Sequence, residues 1–274
     1  KFIVSSLASA LYNKYKIKTN YFELANYSTS AMSTDLKTKI ETCKDEVNLL
    51  QKYVTLVHIA NPYGFFVYTL KRLFDTGKFY NGNKQITDFE TVKANSNNWN
   101  RYVPNNPHRI LIVVSDTIDA YIAENQKTKY ETILNFSKFF TRKILGLQCN
   151  VISIFVQQQA PDLERIQTNF KGKTELDKLK PGNDTLLSCK ATSQDSALIF
   201  GLFNPVKYGE TSYLGYDKLD TLKDGDFRSL VILKTREGEK TTDNEVPTIA
   251  YFSRDEFVEL PLPTETDKLK QYYK

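Results

Sequence analysis

The sequence predicts an α/β fold: a mainly parallel central sheet flanked by helices and closed by a C-terminal antiparallel hairpin. Three observations carry this. Short, β-branched, unbroken apolar runs recur, foremost Ile110 to Val114 and Val151 to Val156, and such runs read as strands buried on both faces of a parallel sheet. Helical patterns alternate with them, as in Thr128 to Leu145, where Ile133, Phe136, Phe140 and Ile144 lie on one stripe before Gly146, a common helix stop. The final third is rich in strand-like runs, which adds antiparallel strands to the sheet.

Taken in order, the chain opens on a helical stripe of Ile3, Val4, Leu7, Ala8 and Leu11 with no cap before it, so the sequence is expected to begin inside an element. Thr19 to Leu24 reads as a strand. A serine- and threonine-rich run from Tyr27 to Thr34 leads into a polar helix over Asp35 to Leu50, and Val54 to Ala60 is a second candidate strand. Asn61-Pro62-Tyr63-Gly64 makes a turn into a helix over Phe65 to Phe74. From Asp75 to Pro107 the chain is rich in asparagine and glycine around Trp99 and reads as a long connection, with Gly77-Lys78 as a turn because no earlier glycine makes a phosphate loop of it. After Val156 come three glutamines, Gln157 to Gln159, and then a lysine-rich stretch from Asp162 to Lys190 with few apolar residues. That stretch reads as a solvated loop. Ala197 to Phe203 and Phe227 to Leu233 are further strands separated by an excursion over Asn204 to Tyr216, Thr248 to Phe252 and Phe257 to Leu260 form the closing hairpin, and the tail from Pro261 is polar.

Composition narrows the function. The 274 residues suit one large domain or two small ones, and a formal charge of +5 favours a polyanion locally without approaching a basic tail. Cys43, Cys149 and Cys189 lie far apart and His58 and His108 form no cluster, which argues against a disulfide framework or structural zinc and for a reducing compartment, the cytoplasm. No apolar run is long enough to span a bilayer, and neither a signal peptide nor a membrane role is expected.

Three polar clusters follow strand runs: Asp116, the glutamines at 157 to 159, and Lys234 with Arg236. Ligands collect at the carboxyl ends of parallel strands. A carboxylate at such an edge commonly holds the magnesium of a nucleotide, and otherwise caps the next helix. Lys234 and Arg236, two apart in a strand, project together. Such a pair suits a phosphate, which arginine grips in two places and lysine neutralises, or else stands as a solvated basic pair.

The order of these clusters resembles the RecA-fold ATPase domain of DnaB-type replicative helicases, closest to those of bacteriophages. The family's Walker-B strand is matched by LIVVSD ending at Asp116, its sensor-glutamine strand by VISIFVQQQ, its QDAD-like sequence by SQDSAL at Ser193 to Leu198, and its KxRxG strand end by KTREG at Lys234 to Gly238. The resemblance covers nearly the whole chain, as a single RecA-like domain over 1–274, and matches KFIVSSLASAL to the helix that follows the phosphate-binding loop. Lys1 would then fall just after that loop and is not the Walker lysine.

Residue by residue, the resemblance implies ATP and Mg2+ as cofactors, with Asp116 holding the metal and Gln157, or else Gln158 or Gln159, sensing the γ-phosphate. Lys234 and Arg236 would reach the nucleotide of a neighbouring subunit in a hexameric ring. Arg165, Lys171, Lys173 and Lys190, the last preferred, would contact single-stranded DNA, and a primase or loader is an expected partner. One departure stands out: Ala25 falls at the position of the family's catalytic glutamate, and Glu23, two residues earlier on the same strand face, is the substitute. The function implied is ATP-driven translocation and unwinding at a phage replication fork. Ala25 favours the alternative, a non-catalytic RecA-fold protein of recombination or structural type that binds nucleotide or DNA.

Overall fold

The computed structural model describes residues 2–19, 24, 33–94, 96–124, 127–147, 149–161, 175–223, 225–236, 244–252 and 256–274. Helix α1 (Phe2–Tyr15) packs on α2 (Thr34–Gln51), where Ala8 and Leu11 meet Ile40 and Cys43, and buried Leu24 joins them. The expected strand over Thr19 to Leu24 lies mostly outside the described residues, as do Glu23 and Ala25.

Val54 to Ala60 is not a strand. It runs without a ladder, Val54, Leu56 and Val57 are exposed, and its contact with the rest includes the Ile122 N–H donating to the Ala60 carbonyl at 3.0 Å. An apolar run makes a strand only when a neighbouring strand pairs with it, and none among the described residues does. Helix α3 (Pro62–Thr76) then starts on an Asn61 side chain that accepts the Gly64 N–H, with Pro62 in its first turn, where a missing N–H costs nothing.

The expected long connection is an ordered subdomain. Strands β1 (Gly77–Asn81), β2 (Lys84–Ile86) and β3 (Arg101–Pro104) form an antiparallel sheet of order β2-β1-β3, with the short helix α4 (Phe89–Ala94) between β2 and β3. Its aromatic residues explain it: Phe79 and Trp99 are almost wholly buried, their rings 4.8 Å apart, and Tyr102 lies 5.1 Å from Phe79. Gly77 opens β1 and is not a turn; a Cβ there would come within 2.4 Å of the Tyr102 ring.

Strand β4 (Leu111–Ser115) pairs in parallel with β5 (Val151–Phe155), Leu111 opposite Val151 through Ser115 opposite Phe155. The crossover carries α5 (Lys129–Phe140), started by a Thr128–Glu131 capping box and continued as a π-turn to Leu145. One face of the pair is packed by Phe65, Phe136, Phe140 and Phe155, whose rings meet at 5.5–6.0 Å, contacts that add about 0.5–1.5 kcal/mol each beyond area burial. The other face, with Ile112, Val114, Ile152 and Ile154, is exposed. Burial of both faces, which the unbroken apolar runs suggest, is therefore absent among the described residues.

Nor, among the described residues, is the sheet mainly parallel. Beyond β4–β5, the described strands β6 (Leu198–Phe203), β7 (Asp226–Thr235), β8 (Glu245–Tyr251) and β9 (Glu256–Glu259) form one antiparallel sheet in sequence order, which absorbs the predicted hairpin. The polar tail returns to it: Leu269 is buried and Tyr273 bridges Leu222.

The described half of the lysine-rich stretch is docked on this sheet, where a solvated loop is expected from its composition. Leu179 is buried with Phe203 and Val231, and a Cβ on Gly201 would strike Pro181 at 2.4 Å. Lys180 Nζ lies 3.0 Å from Glu245 Oε1, while the Tyr213 and Ser229 hydroxyls donate to Glu245 Oε2 at 2.7 and 2.6 Å. Burial alone would push the Glu245 carboxyl up, but these hydrogen bonds outweigh it and hold it below the ordinary glutamate range. Burial also pushes the Tyr213 phenol up to about 12.

Replacing Glu245 with alanine leaves three donors without their acceptor and is expected to cost about 1–3 kcal/mol, read as a lower denaturant midpoint with unchanged slope. Because the folded-state value is depressed, the wild-type advantage is complete above the ordinary value of 4.5 and fades as pH falls through the lower folded value. Equal stability of wild type and Glu245→Ala at pH 7 would contradict this.

Candidate nucleotide-binding edge

The carboxyl end of β4–β5 is stitched by the chain that leaves it. The Val156 N–H donates to the Ser115 carbonyl at 3.0 Å, and the Val156 carbonyl accepts the Ile118 N–H at 3.0 Å and the Thr117 hydroxyl at 2.8 Å. Asp116 sits at this edge, exposed, on a cis peptide to Thr117. The next element is a 3-10 turn, Ile118–Ala120, and Thr117 rather than Asp116 caps it. Asp116 is thus spared the capping role open to it from sequence.

Asp119 is the buried carboxylate of the edge. Its Oδ2 accepts the Gln158 N–H at 2.6 Å, and its Oδ1 has no hydrogen-bond partner among the described residues. The carboxylate therefore fixes the glutamine segment against the turn that presents Asp116. Its only sequence signal is a second acid three residues after the first.

Gln157 is half-buried and held at both ends of its amide. Nε2 donates to the Cys189 carbonyl at 3.2 Å, and Oε1 lies 2.9 Å from the Thr192 hydroxyl. That hydroxyl is also 2.8 Å from the Cys189 carbonyl; with one proton it donates to one of the two at a time. Gln158 is exposed.

Thr192 begins the helical turn Thr192–Asp195, on which other elements converge. From α5, the Ser137 hydroxyl donates to Asp195 Oδ2 at 2.7 Å. From β7 and just beyond it, Lys234 Nζ donates to the Ser193 carbonyl and, at 3.1 Å, to the Gln194 carbonyl, and Arg236 Nη2 donates to the same Gln194 carbonyl. Partial burial lowers the Lys234 amine from its ordinary value, and the neighbouring Arg236 charge adds to this, with Asp195 opposing. The two cations thus lie side by side, Arg236 exposed and Lys234 half-buried.

Asp116 and Gln157 therefore follow adjacent parallel strands at one edge, and hydrogen bonds run from Gln157 through the 189–194 segment to Lys234 and Arg236. Lys190 is exposed just before that turn, its carbonyl accepting the Ser193 hydroxyl at 2.9 Å. Arg165, Lys171 and Lys173, like Glu23, lie outside the described residues. Among the described residues no helix is long and apolar enough to cross a membrane. Thr117, Asp119, Ser137 and Thr192 are the positioning residues that sequence reasoning missed, since each acts through a contact with a distant segment.

No family model matches the chain, and no curated protein matches it in sequence. Among solved structures it is similar in fold to a DnaB-like replicative helicase. That structure, described as a DnaB-like replicative helicase and its interactions with primase, superposes with a TM-score of 0.61 over 94% of this chain at 15% identity. The chain spans about half of that protein, 47% of its length. At this identity the likeness is one of fold: mixed helices and sheets, with the antiparallel sheet standing apart from the parallel pair.

Replacing Asp119 with alanine removes the acceptor of the Gln158 N–H. The expected outcome is a loss of about 1–3 kcal/mol and faster hydrogen exchange at the Gln158 amide, with amides of β8 unchanged. Unchanged exchange at Gln158 would show that Asp119 does not hold the segment.

Proposed function

We propose that the protein is a RecA-like ATPase, a single domain over 1–274, that moves along single-stranded DNA and unwinds duplex as DnaB-like phage replicative helicases do, in a hexameric ring. The observation that carries this reading is the shared edge, where Asp116 and Gln157 end adjacent parallel strands and Gln157 connects by hydrogen bonds to a side-by-side lysine and arginine. The fold likeness to a DnaB-like helicase supports it.

The donor set fits a nucleotide's magnesium. Asp116 offers an exposed carboxylate at the end of the parallel pair. Magnesium typically takes one or two protein carboxylates together with phosphates and waters. Asp116 would hold it, and the chemistry the metal would supply there is neutralisation of charge on the phosphates. Gln157, tied to the 189–194 segment, is suited to report the state of the γ-phosphate to the lysine-rich stretch, where Arg165, Lys171, Lys173 and Lys190 would meet the DNA backbone without reading bases. Lys234 and Arg236 act on the nucleotide of the next subunit, and Glu23 is the candidate base for the attacking water. A primase or loader is the further partner of this reading; the similar helicase is described with its primase interactions.

One observation favours a second reading, a non-catalytic RecA-fold protein that binds nucleotide or DNA. Lys234 and Arg236 both spend hydrogen bonds on carbonyls of their own chain, which a finger acting on a neighbour must release.

Arg236→Ala in the intact, assembled protein is expected to lower magnesium-dependent ATP hydrolysis stimulated by single-stranded DNA by about a thousandfold or more, with nucleotide binding nearly unchanged. Normal turnover of Arg236→Ala would refute the finger assignment. Absence of turnover in the wild type, with activity gained by Ala25→Glu, would select the second reading.

A further inference from the structure

Away from the nucleotide edge, α3, α4 and α5 enclose a cleft of about 590 Å³. Its floor is apolar: Phe66 and Phe139 meet at 4.7 Å, and Phe136 lies beside them. Its rim is basic, carrying Lys93, Lys127, Lys138 and Arg142 against a single carboxylate, Glu124. Glu124 is already engaged, accepting the Tyr63 N–H at 2.9 Å at the start of α3, and Lys93 is paired with Glu90.

Lys138 and Arg142 are different. Both are exposed, and neither side chain makes an ion pair or hydrogen bond among the described residues. They stand four residues apart along α5 and the π-turn that continues it, where like charges repel. Their neighbour Asn135 is exposed on the same side, and the acid of that stripe, Glu131 one turn earlier, is held in the Thr128 capping box, its carboxylate accepting the Thr128 N–H and hydroxyl at 2.8 and 2.9 Å. Some helical lysines elsewhere are matched, as in Lys39 with Asp35 and Lys71 with Asp75, while Lys37 and Lys129 are exposed too; what sets Lys138 and Arg142 apart is that they flank the apolar floor of a cleft.

We propose that the cleft is a docking site for an acidic helical segment of a partner protein, one that places an apolar anchor over Phe139 and carboxylates against Lys138 and Arg142. Charge complementarity and spacing select this occupant. A helix laid along α5 presents acids at i and i+4, the interval that separates the two cations, with an apolar residue between them on the same face. Single-stranded nucleic acid fits less well. Bases need exposed ring faces to stack on, whereas Phe66 and Phe136 are buried and Tyr63 is the exposed ring of the lining. The inference is independent of the ATPase reading, because none of these residues belongs to the nucleotide edge.

The test uses a fluorescein-labelled synthetic helical peptide with leucine and phenylalanine anchors and glutamates at i and i+4, its glutamate-to-lysine counterpart, and an oligothymidine. Binding to wild type is compared with K138E/R142E and with the charge-conserving K138R/R142K, both on exposed positions, with folding checked by thermal melts. The acidic peptide should bind the wild type and K138R/R142K, weaken with added salt, and lose about tenfold or more in affinity for K138E/R142E; the lysine peptide should not bind. ATP hydrolysis should be the same in all three proteins. Equal binding of the acidic peptide to wild type and K138E/R142E, or no binding to wild type, would overturn the proposal. So would loss of oligothymidine binding in K138E/R142E without loss of peptide binding, which would assign the cleft to nucleic acid.

Discussion

The helical turn Thr192–Asp195 is the constraint on which the rest depends. Through it the parallel pair and the antiparallel sheet are held in fixed relation at the candidate nucleotide edge: Gln157 reaches it from β5, Ser137 from α5, Lys234 and Arg236 from the end of β7. No single one of these hydrogen bonds is worth much, about 0.5–1.5 kcal/mol net or somewhat more where a charge takes part. Their convergence on four residues matters more. A shift of the turn moves the glutamine amide and both cations together, as the proposed coupling of a phosphate's state to distant segments requires.

Aromatic packing supplies the rigidity behind this. Phe65, Phe136, Phe140 and Phe155 clamp α3 and α5 to the covered face of β4–β5, so the end of β5 is placed by the core and the polar edge needs only to orient side chains. On the edge itself, Thr117, Ile118 and Asp119 bind the 156–158 backbone. Asp116 is left exposed with its two neighbours on the chain anchored in the fold. This is the economy of an edge site: buried groups fix the backbone, and the exposed acid is free for a ligand.

Much of this was legible in the sequence. The helices over 62–76 and 129–140 follow their apolar periodicity and their caps, and β4, β5, β6 and β7 follow their β-branched runs. What failed did so for definable reasons. Val54 to Ala60 has a strand's composition and no strand beside it among the described residues. The stretch from Asp75 to Pro107 has a loop's asparagine and glycine content, but its stability lies in Phe79, Trp99 and Tyr102, scattered aromatics whose cluster exists only in three dimensions. The lysine-rich limb reads as solvated because its anchors are sparse: Leu179, Pro181 and the Lys180–Glu245 pair. At the edge, the residues with chemical character, Asp116, Gln157, Lys234 and Arg236, announce themselves by type and position. Those that hold them, Asp119 and Thr192 above all, do so across 39 and 35 residues of chain respectively, and local pattern carries no trace of that.

Whether Asp116 and its edge take a metal-bound nucleotide is tested most directly by calorimetric titration of ATP into the intact protein, with and without magnesium. Binding should require magnesium in the wild type, and Asp116→Asn should abolish the magnesium dependence along with most of the affinity. Tight binding that ignores magnesium, or an Asp116→Asn variant that keeps the wild-type response to the metal, would contradict the account.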